Sequence, residues 1–268
     1  MPNTKALRIR IKSVKSTEQL TKAMGLVASS KIRRANEVMF KAREYTTAIE
    51  DSIALLTNQT ESLKSPYMKN RGNEKTRIIV IAGDRGLAGG YNSNVFRICR
   101  EFENAEFIPI GKRACERFSK PINSSEKFSF ANAMQLADTL CADFKNEKFD
   151  RLGVVYTEYV SVMTQEAKIK WLLPLEKSEK REGNGTIFEP DHLTVLNMAV
   201  REYIAGIITA CVRESFACEV SARRMAMDSA GKNAKQMIDD LSLEYNRARQ
   251  GAITQEITEI VAGSGNDL

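Results

Sequence analysis

A proline-free C-terminal segment constrains the fold of this chain more than any other feature. Pro190 and Asp191 suit the entry and the cap of a helix, and no proline follows them in the 268-residue chain. About 70 helical residues at about 1.5 Å each extend roughly 105 Å, whereas a compact domain of this chain length has a radius of gyration of about 18 Å. The helix must therefore project as a rod or break, with Gly206, Gly231 and Gly251 as candidate positions.

A sustained seam of apolar and small residues favours the rod. Its members recur in steps of four and three, the spacing of a helix packed lengthwise on another helix: Ala230, Ala234, Met237, Leu241, Tyr245, Ala248 and Ala252. The N-terminal segment is the natural partner, because residues 5–63 contain no proline and repeat apolar residues with helical spacing. Since an inserted globular part links the two segments, we expect an antiparallel coiled coil.

The middle of the chain has a different pattern. Apolar runs at 77–83, 106–111 and 152–160 predict strands, residues 165–175 predict an added edge strand, and helical stretches near 93–103 and 131–147 lie between them. This alternation predicts a small Rossmann-like α/β domain. We therefore predict an α/β fold in which that domain, at 76–175, is inserted between two long coiled-coil helices at 1–63 and 190–262.

The tip of the predicted C-terminal helix carries an apolar face at Ile253, Ile257, Ile260 and Val261. This helix is the longer of the two, so the N-terminal helix does not reach far enough to cover the tip. Exposed apolar stripes of this kind mark surfaces that bind other proteins. We therefore expect the tip to lie inside a partner protein.

The charge of the chain is uneven. The net charge is +6, and between Lys5 and Arg43 eleven Lys or Arg residues stand against Glu18 and Glu37. Such a run indicates an acidic partner, which is either a protein surface or a nucleic acid, although a solvated helix face explains it equally well. A basic coiled coil that binds nucleic acid is therefore the alternative function.

The stretch GDRGLAGGYNSN, residues 83–94, follows a predicted strand and suggests a phosphate-binding loop. It contains neither GxxxxGK[ST] nor GxGxxG, and no acidic residue ends the next strand to hold a ribose. A nucleotide-binding enzyme remains possible on these grounds, but a tight turn explains the glycines better. In that interpretation Asn92 or Ser93 caps the following helix, and Asp84 and Arg85 make turn or surface contacts.

Catalytic and metal-binding patterns are missing from the sequence. His192 is the single histidine and is expected to cap a helix or lie on the surface. The five cysteines show no metal-binding or paired spacing, so we interpret them as reduced core residues. No apolar run reaches the roughly 18 residues of a membrane span, and the N-terminus does not resemble a secretory signal. We predict no catalytic residue, no cofactor and no metal.

Three blocks of sequence resemble the gamma subunit of F-type ATP synthases, which is the central rotor shaft. They are RIKSVKSTEQLTKAMGLVASSKIRRA at 10–35, DRGLAGGYNSN at 84–94 and YNRARQGAITQEITEIVAG at 245–263. The third block is the most specific, and the resemblance extends over nearly the whole chain. Three positions depart from the family pattern: Arg224 replaces an apolar residue, and Gly231-Lys232 replaces a common Thr-Asp.

The resemblance implies a rotor that turns inside a ring of alpha and beta subunits. Its α/β domain would lie with the epsilon subunit on the membrane ring of c subunits, and ATP chemistry would belong to the beta subunits. It implies no direct small-molecule ligand and no nucleic acid. Because no transit peptide is evident, we expect a bacterial protein at the cytoplasmic face of the plasma membrane.

The resemblance also implies residues that contact partner subunits. Met24 falls where the basic helix faces acidic loops of the beta subunits, and Arg249 and Gln250 match a polar contact to a catalytic-subunit loop. Thr254 and Glu256 lie in the same block and are expected to support coupling. The remaining predicted contact residues are Asp84, Arg85, Arg223, Ile257 and Ile260.

Overall fold

The computed structural model describes residues 4–72, 74–178 and 188–264, and it confirms the predicted fold class. Two long helices, α1 (Thr4–Asn58) and α5 (His192–Ser264), lie at the two ends of the chain, and the segment between them forms a small mixed sheet. Two short 3-10 turns, Thr60–Lys64 and Pro66–Met68, follow α1. Helix α5 is continuous through all three glycines that were candidate break points, so the unbroken helix is the correct alternative.

The described chain divides into two compact units. The first contains the chain up to Ala28 together with everything from Arg224 onward, and the second runs from Ser29 to Arg223. Both long helices therefore contribute to both units. The predicted division into segments 1–63, 76–175 and 190–262 stays a prediction.

One face of α1 is buried or half-buried along its whole length. Its members follow each other in alternating steps of four and three, the spacing expected when a helix packs lengthwise on another: Leu7, Ile11, Val14, Glu18, Thr21, Gly25, Ala28, Ile32, Ala35, Met39, Ala42, Thr46, Ile49, Ile53 and Leu56. The remaining positions of the helix are mostly exposed, so α1 is amphipathic from end to end.

In the first unit the two helices run antiparallel. A Cβ added at Gly25 would lie 3.7 Å from the Met227 side chain, and one added at Gly231 would lie 3.6 Å from the Thr21 hydroxyl. Residue numbers along α1 therefore increase in the direction in which those of the facing α5 residues decrease. Five of the seven residues of the predicted α5 seam are buried or half-buried, and Ala234 is the buried one. Met237 and Ala252 are the exceptions, because both are exposed; Met237 is 44% exposed, and the adjacent Ile238 is half-buried instead.

The second unit contains a mixed sheet with strand order β2-β1-β3-β4 in the described residues. Strand β1 (Thr76–Ile81) pairs in parallel with β2 (Glu106–Ile110) and with β3 (Arg151–Tyr159), and β4 (Gln165–Leu173) pairs antiparallel with β3. The four predicted strands are therefore confirmed. Helices α2 (Tyr91–Cys99) and α4 (Phe130–Lys145) confirm the two predicted helical stretches, whereas the short α3 (Lys112–Arg117) was not predicted.

Both faces of the sheet are covered. Strand β1 is buried without a break from Arg77 to Ile81, which is typical of a parallel strand between two layers. On one face Ile79 and Ile81 pack in a core with residues of α4 and α5, and on the other face Ile78 and Val80 pack with α2 and α3. The five cysteines are buried and free, as predicted.

Helix α5 contains a stretch that is long and apolar enough to cross a membrane by composition alone, at a mean hydropathy of 1.4. Charged residues interrupt this stretch, so no continuous apolar run marks it in the sequence. Most of this stretch, 61%, is buried inside the protein. Because core helices of water-soluble proteins have the same composition, packing against the sheet accounts for it.

Two glycines with nearly equal φ angles allow a test of how closely the chain packs at the end of β2. Gly111 has φ +99° and Gly72 has φ +98°, but a Cβ at Gly111 would lie 2.0 Å from the Ala82 carbonyl oxygen, whereas one at Gly72 would meet nothing within 4 Å. Gly72→Ala is expected to lower the free energy of unfolding by about 1 kcal/mol through left-handed strain alone. Gly111→Ala adds the clash and should lower it by roughly 3 kcal/mol or more. Urea unfolding of both variants measures the difference, and equal losses would contradict it.

Candidate functional site

The glycine-rich loop after β1 is organised by the carboxylate of Asp84. Its Oδ1 accepts hydrogen bonds from the backbone N–H of Lys112 at 3.1 Å and of Ser125 at 2.9 Å. Its Oδ2 accepts from the Ser124 hydroxyl at 2.5 Å and from the Glu126 N–H at 3.2 Å. One side chain thereby joins the loop to the start of α3 and to the segment before α4.

The electrostatic state of Asp84 follows from these donors. Partial burial pushes the pKa of Asp84 up, but the hydrogen bonds from Ser124, Ser125, Lys112 and Glu126 outweigh it and hold the pKa below the ordinary value of 3.8. Hydrogen bonds to the charged form favour that form. The carboxylate is therefore ionised at neutral pH and fixes the loop as an anion.

A second carboxylate, that of Glu219 on α5, lies against the start of the same loop. It is 3% exposed, and a Cβ added at Gly83 would lie 2.7 Å from its Cδ atom, so only glycine admits this approach. Arg223 donates to Glu219 Oε1 at 2.5 Å and to the Gly86 carbonyl at 3.3 Å. Burial raises the pKa of Glu219, and the hydrogen bond from Arg223 opposes that rise.

These two carboxylates explain why the loop is not a phosphate cradle. A phosphate at this place would need free backbone N–H groups and open space beside the glycines. Asp84 takes the Lys112 N–H at the start of α3, Asn92 takes the Gly83 N–H, and Glu219 occupies the space beside Gly83. Carboxylates in and beside the loop also repel an anion, which favours the tight-turn interpretation over a nucleotide-binding one.

Two sequence predictions about side chains near helix ends are wrong. Asn92 does not cap α2, because its Oδ1 accepts from the Gly83 N–H at 2.9 Å; Ser93 does not cap it either, since Gly90 holds the cap position. His192 is neither a cap nor on the surface. It is buried, and its Nε2 lies 2.8 Å from the Leu56 carbonyl oxygen. Asp191 is the cap of α5, where its Oδ1 accepts from the Thr194 N–H at 3.0 Å.

The structure brings together three of the predicted partner-contact residues. Arg223 donates to the backbone carbonyl of Arg85 at 3.4 Å, and Asp84 precedes Arg85 in the same loop. The Arg85 side chain is exposed, whereas Asp84 and Arg223 are half-buried and engaged within the chain. Glu219 completes this cluster and was not predicted, although its spacing of four from Arg223 on a helix is the signal that could have found it.

The other predicted contact residues belong to the first unit. Met24 is half-buried on α1. The remaining six lie exposed in the last turns of α5: Arg249, Gln250, Thr254, Glu256, Ile257 and Ile260. Ile257 is 56% and Ile260 66% exposed, so the apolar face predicted for the tip is present. The Thr254 hydroxyl donates a hydrogen bond to the Gln250 carbonyl oxygen at 3.0 Å. The predicted contacts of these residues with partner subunits stay predictions.

In residues 4–72, 74–178 and 188–264, no three His, Cys, Asp or Glu side chains are grouped so that they could hold a metal ion.

The Gly231-Lys232 departure from the family pattern has local contacts in the structure. Gly231 faces Thr21 across the helix pair, and Lys232 forms an exposed ion pair with Asp228 at 2.8 Å.

Comparison with known proteins identifies the family. A family model described as ATP synthase matches residues 3–265. The ATP synthase gamma chain of Ruminococcus albus is 40% identical over 285 residues, covering 100% of this chain and 99% of the relative. The sodium-ion-specific ATP synthase gamma chain of Acetobacterium woodii is 37% identical, covering 98% of each.

Solved structures agree on the fold. A chain of the Euglena gracilis mitochondrial ATP synthase has a TM-score of 0.69 at 20% identity, covering 97% of this chain and 92% of that chain. A chain of the central stalk and c-ring structure of the Tetrahymena thermophila enzyme has a TM-score of 0.63, covering 79% of this chain and 99% of that chain.

The protein is thus of the ATP synthase class. Within that class it belongs to the gamma chain family, and nothing in these matches supports a nucleic-acid-binding coiled coil.

Stability of the loop should depend on the charge of Asp84. Asp84→Asn is expected to lower the free energy of unfolding at pH 7 by about 2 kcal/mol, because the amide cannot accept all four bonds and carries no charge. Since the folded pKa is depressed, the contribution of Asp84 is complete above the unfolded pKa of about 3.8 and is lost as the pH falls through the lower folded value. The difference between the two proteins should therefore hold from pH 7 to about pH 5 and shrink below about pH 4.

The matched control is Asp228→Asn, which removes an exposed carboxylate from α5. Exposed ion pairs contribute little, so this variant should unfold as the wild type does at every pH. Urea unfolding at four pH values measures both. A loss in Asp84→Asn that grows as the pH falls would contradict the assigned role.

Proposed function

We propose that this chain is the rotor of the central stalk in a bacterial F-type ATP synthase. In this role it turns with the membrane c ring and couples ion flow to ATP synthesis or hydrolysis at the beta subunits. The observation that carries the proposal is the full-length relationship to gamma chains, at 40% identity with 99% of the relative covered. As a gamma chain the protein is a subunit of an enzyme complex that is bound to a membrane.

We propose further that the chain performs no chemistry itself. The glycine-rich loop at 83–94 would have to hold any nucleotide, but Asp84 is engaged there within the chain and Glu219 packs beside Gly83. The catalytic sites would belong to the beta subunits, and the chain would act on them mechanically. The proposed location is the cytoplasmic face of the plasma membrane, reached through the complex rather than through a membrane span.

The tip of α5 would lie in an apolar bearing formed by the alpha and beta subunits. Support comes from the side chains of Ile253, Ile257, Ile260 and Val261, which are 48% to 66% exposed. An apolar stripe of this size is unfavourable in water and is stabilised by burial against a partner. Arg249 and Gln250 lie just before this stripe and would contact a loop of a catalytic subunit.

The basic character of α1 would serve contacts with acidic loops of the beta subunits. Two of these charges, Lys31 and Arg43, form ion pairs with Glu126 and Glu214 within the second unit. Five others are exposed on the first unit and supply the proposed contact surface near Met24: Arg8, Arg10, Lys12, Lys15 and Lys22. The α/β domain would contact the epsilon subunit and the c ring.

Reconstitution tests the proposed function directly. The chain is combined with the alpha and beta subunits of its own complex, and ATP hydrolysis and co-purification are measured with and without it. We expect a stable complex whose hydrolysis rate depends on the chain. A chain that neither joins the complex nor changes the rate would disprove the rotor role.

The double variant Arg249→Ala with Gln250→Ala tests the contact at the tip. Both side chains are exposed, so the isolated chain should unfold as the wild type does. In the assembled complex, loss of a polar contact should lower ATP hydrolysis or ion transport roughly threefold to tenfold. Lys235→Ala with Gln236→Ala is the control, because it removes a cation and an amide from the same exposed helix at a position without a proposed contact. Wild-type turnover and transport in the first variant would refute the assignment.

A further inference from the structure

Strand β3 extends beyond its neighbour β1. In the described part of the chain, pairing between β1 and β3 ends at Val80 and Val155, but β3 continues to Tyr159. On its other side, β3 remains paired with β4 as far as Tyr159 and Gln165. The backbone groups of Thr157 and Tyr159 that point toward β1 therefore extend past the end of that strand.

Side chains of the two long helices take the place of the missing strand. Thr157 donates its N–H to the Ser215 hydroxyl at 3.1 Å, and its carbonyl accepts from the Cys218 thiol at 3.5 Å. Tyr159 donates its N–H to Glu214 Oε1 at 2.9 Å, and its carbonyl accepts from Arg43 Nη2 at 2.6 Å. All four groups are thus satisfied, three of them by α5 and one by α1.

Arg43 and Glu214, which both bind the Tyr159 backbone, also bind each other. Arg43 Nη2 also donates to Glu214 Oε1 at 2.5 Å, so α1, α5 and the end of β3 meet at one point. Glu214 is 8% exposed, whereas the Arg43 side chain is 39% exposed, so the carboxylate of this ion pair is buried and the guanidinium reaches the surface. We call Arg43, Glu214 and the Tyr159 backbone the β3 clamp.

We propose that the β3 clamp holds the α/β domain in fixed register on the two long helices when the rotor transmits torque. This inference rests on the proposed rotor function. In such a rotor, load enters at one part of the chain and acts at another, so the joint between sheet and helices must resist sliding. Apolar packing is non-directional and resists separation more than sliding. Hydrogen bonds to charged groups are directional and short, and they resist both.

Several ion pairs between the long helices and the α/β domain are more exposed than the Glu214 carboxylate of the β3 clamp. In the Arg201–Asp138 pair of α5 and α4, for example, both side chains are about half exposed. Lys31 and Glu126 are exposed to a similar degree. Exposed pairs of this kind are screened by water and contribute little. Buried links also join α5 alone to the α/β domain, such as the hydrogen bond from the Tyr91 hydroxyl to the Ser215 carbonyl. The β3 clamp differs from them because it joins both long helices to the sheet. Arg43 and Glu214 are therefore positioning residues on which the stiffness of the joint should depend.

Single-molecule rotation measures that stiffness. The alpha–beta ring is fixed to a surface, and a probe is attached to a cysteine introduced at Glu103, an exposed position between α2 and β2. The native cysteines are buried and do not compete for the label. The angular spread of the probe during pauses reports torsional stiffness, because a softer joint allows wider thermal fluctuation.

The variants form a graded series. Arg43→Met and Glu214→Leu remove the clamp, and they should raise the angular variance about twofold or more while the complex still assembles and hydrolyses ATP. Glu214→Gln should raise it less, because the amide oxygen still accepts from Tyr159 and Arg43. Glu202→Gln is the control, because it changes an exposed carboxylate twelve residues earlier on α5 and should leave the variance unchanged.

The outcomes separate this inference from the proposed function. A wild-type complex that does not rotate would disprove the rotor role itself. If the wild type rotates and the assembled clamp variants fluctuate as it does, only the clamp is disproved. If Arg43→Met and Glu214→Leu fail to assemble, the assembled Glu214→Gln decides: a variance above that of the wild type supports the clamp, and an equal variance overturns it.

Discussion

The burial of α5 on nearly all sides between Tyr203 and Ser221 is the constraint on which the rest of the structure depends. A helix that is apolar all round must be enclosed, and the sheet, α1 and α4 provide the enclosure through one continuous core. Close approach requires small residues at the contact. A Cβ at Gly206 would lie 2.8 Å from the ring of Tyr45, so glycine there serves packing and not a break in the helix. Beyond Arg223 the same helix has only one covered stripe, and its composition changes accordingly.

Features that depend on local periodicity were predictable from the sequence. The steps of four and three in α5 and the apolar runs of the strands are local patterns, and the structure follows them closely. Met237 marks the limit of such a pattern. The covered positions of α5 alternate in steps of four and three, as in a helix packed lengthwise on another: Met227, Gly231, Ala234, Ile238, Leu241, Tyr245 and Ala248. The predicted seam placed its step of three directly after Ala234, so it selected Met237 where the structure covers the adjacent Ile238.

Features that depend on distant partners were not predictable. Asp84 has donors 28 to 42 residues away, and His192 has its partner 136 residues away at Leu56. Asn92 had the right residue type for a cap, but tertiary contact with Gly83 competes for its side chain. Glu219 is the instructive omission, because an acidic residue inside an apolar helix is costly unless paired. Its pairing with Arg223 could have been proposed, but its contact with Gly83 could not.

The α/β domain has the strand, glycine loop and helix order of a phosphate-binding unit, but carboxylates of the chain itself hold its loop. Asp84 ties the loop to the start of α3 and to the segment before α4, and Glu219 packs beside Gly83. An external ligand can leave, whereas Asp84 is covalently part of the loop. The internal carboxylate therefore gives a permanently ordered loop, which suits a mechanical part better than an exchangeable nucleotide would.

The exposed stripe at Ile253, Ile257, Ile260 and Val261 has a consequence for the cell that makes this protein. A copy without its complex presents an apolar surface that is prone to self-association and to recognition by chaperones and proteases. Surplus copies would therefore be removed or would precipitate instead of accumulating. If partner subunits cover the tip as proposed, synthesis of the chain has to be matched in amount and in time to synthesis of those subunits.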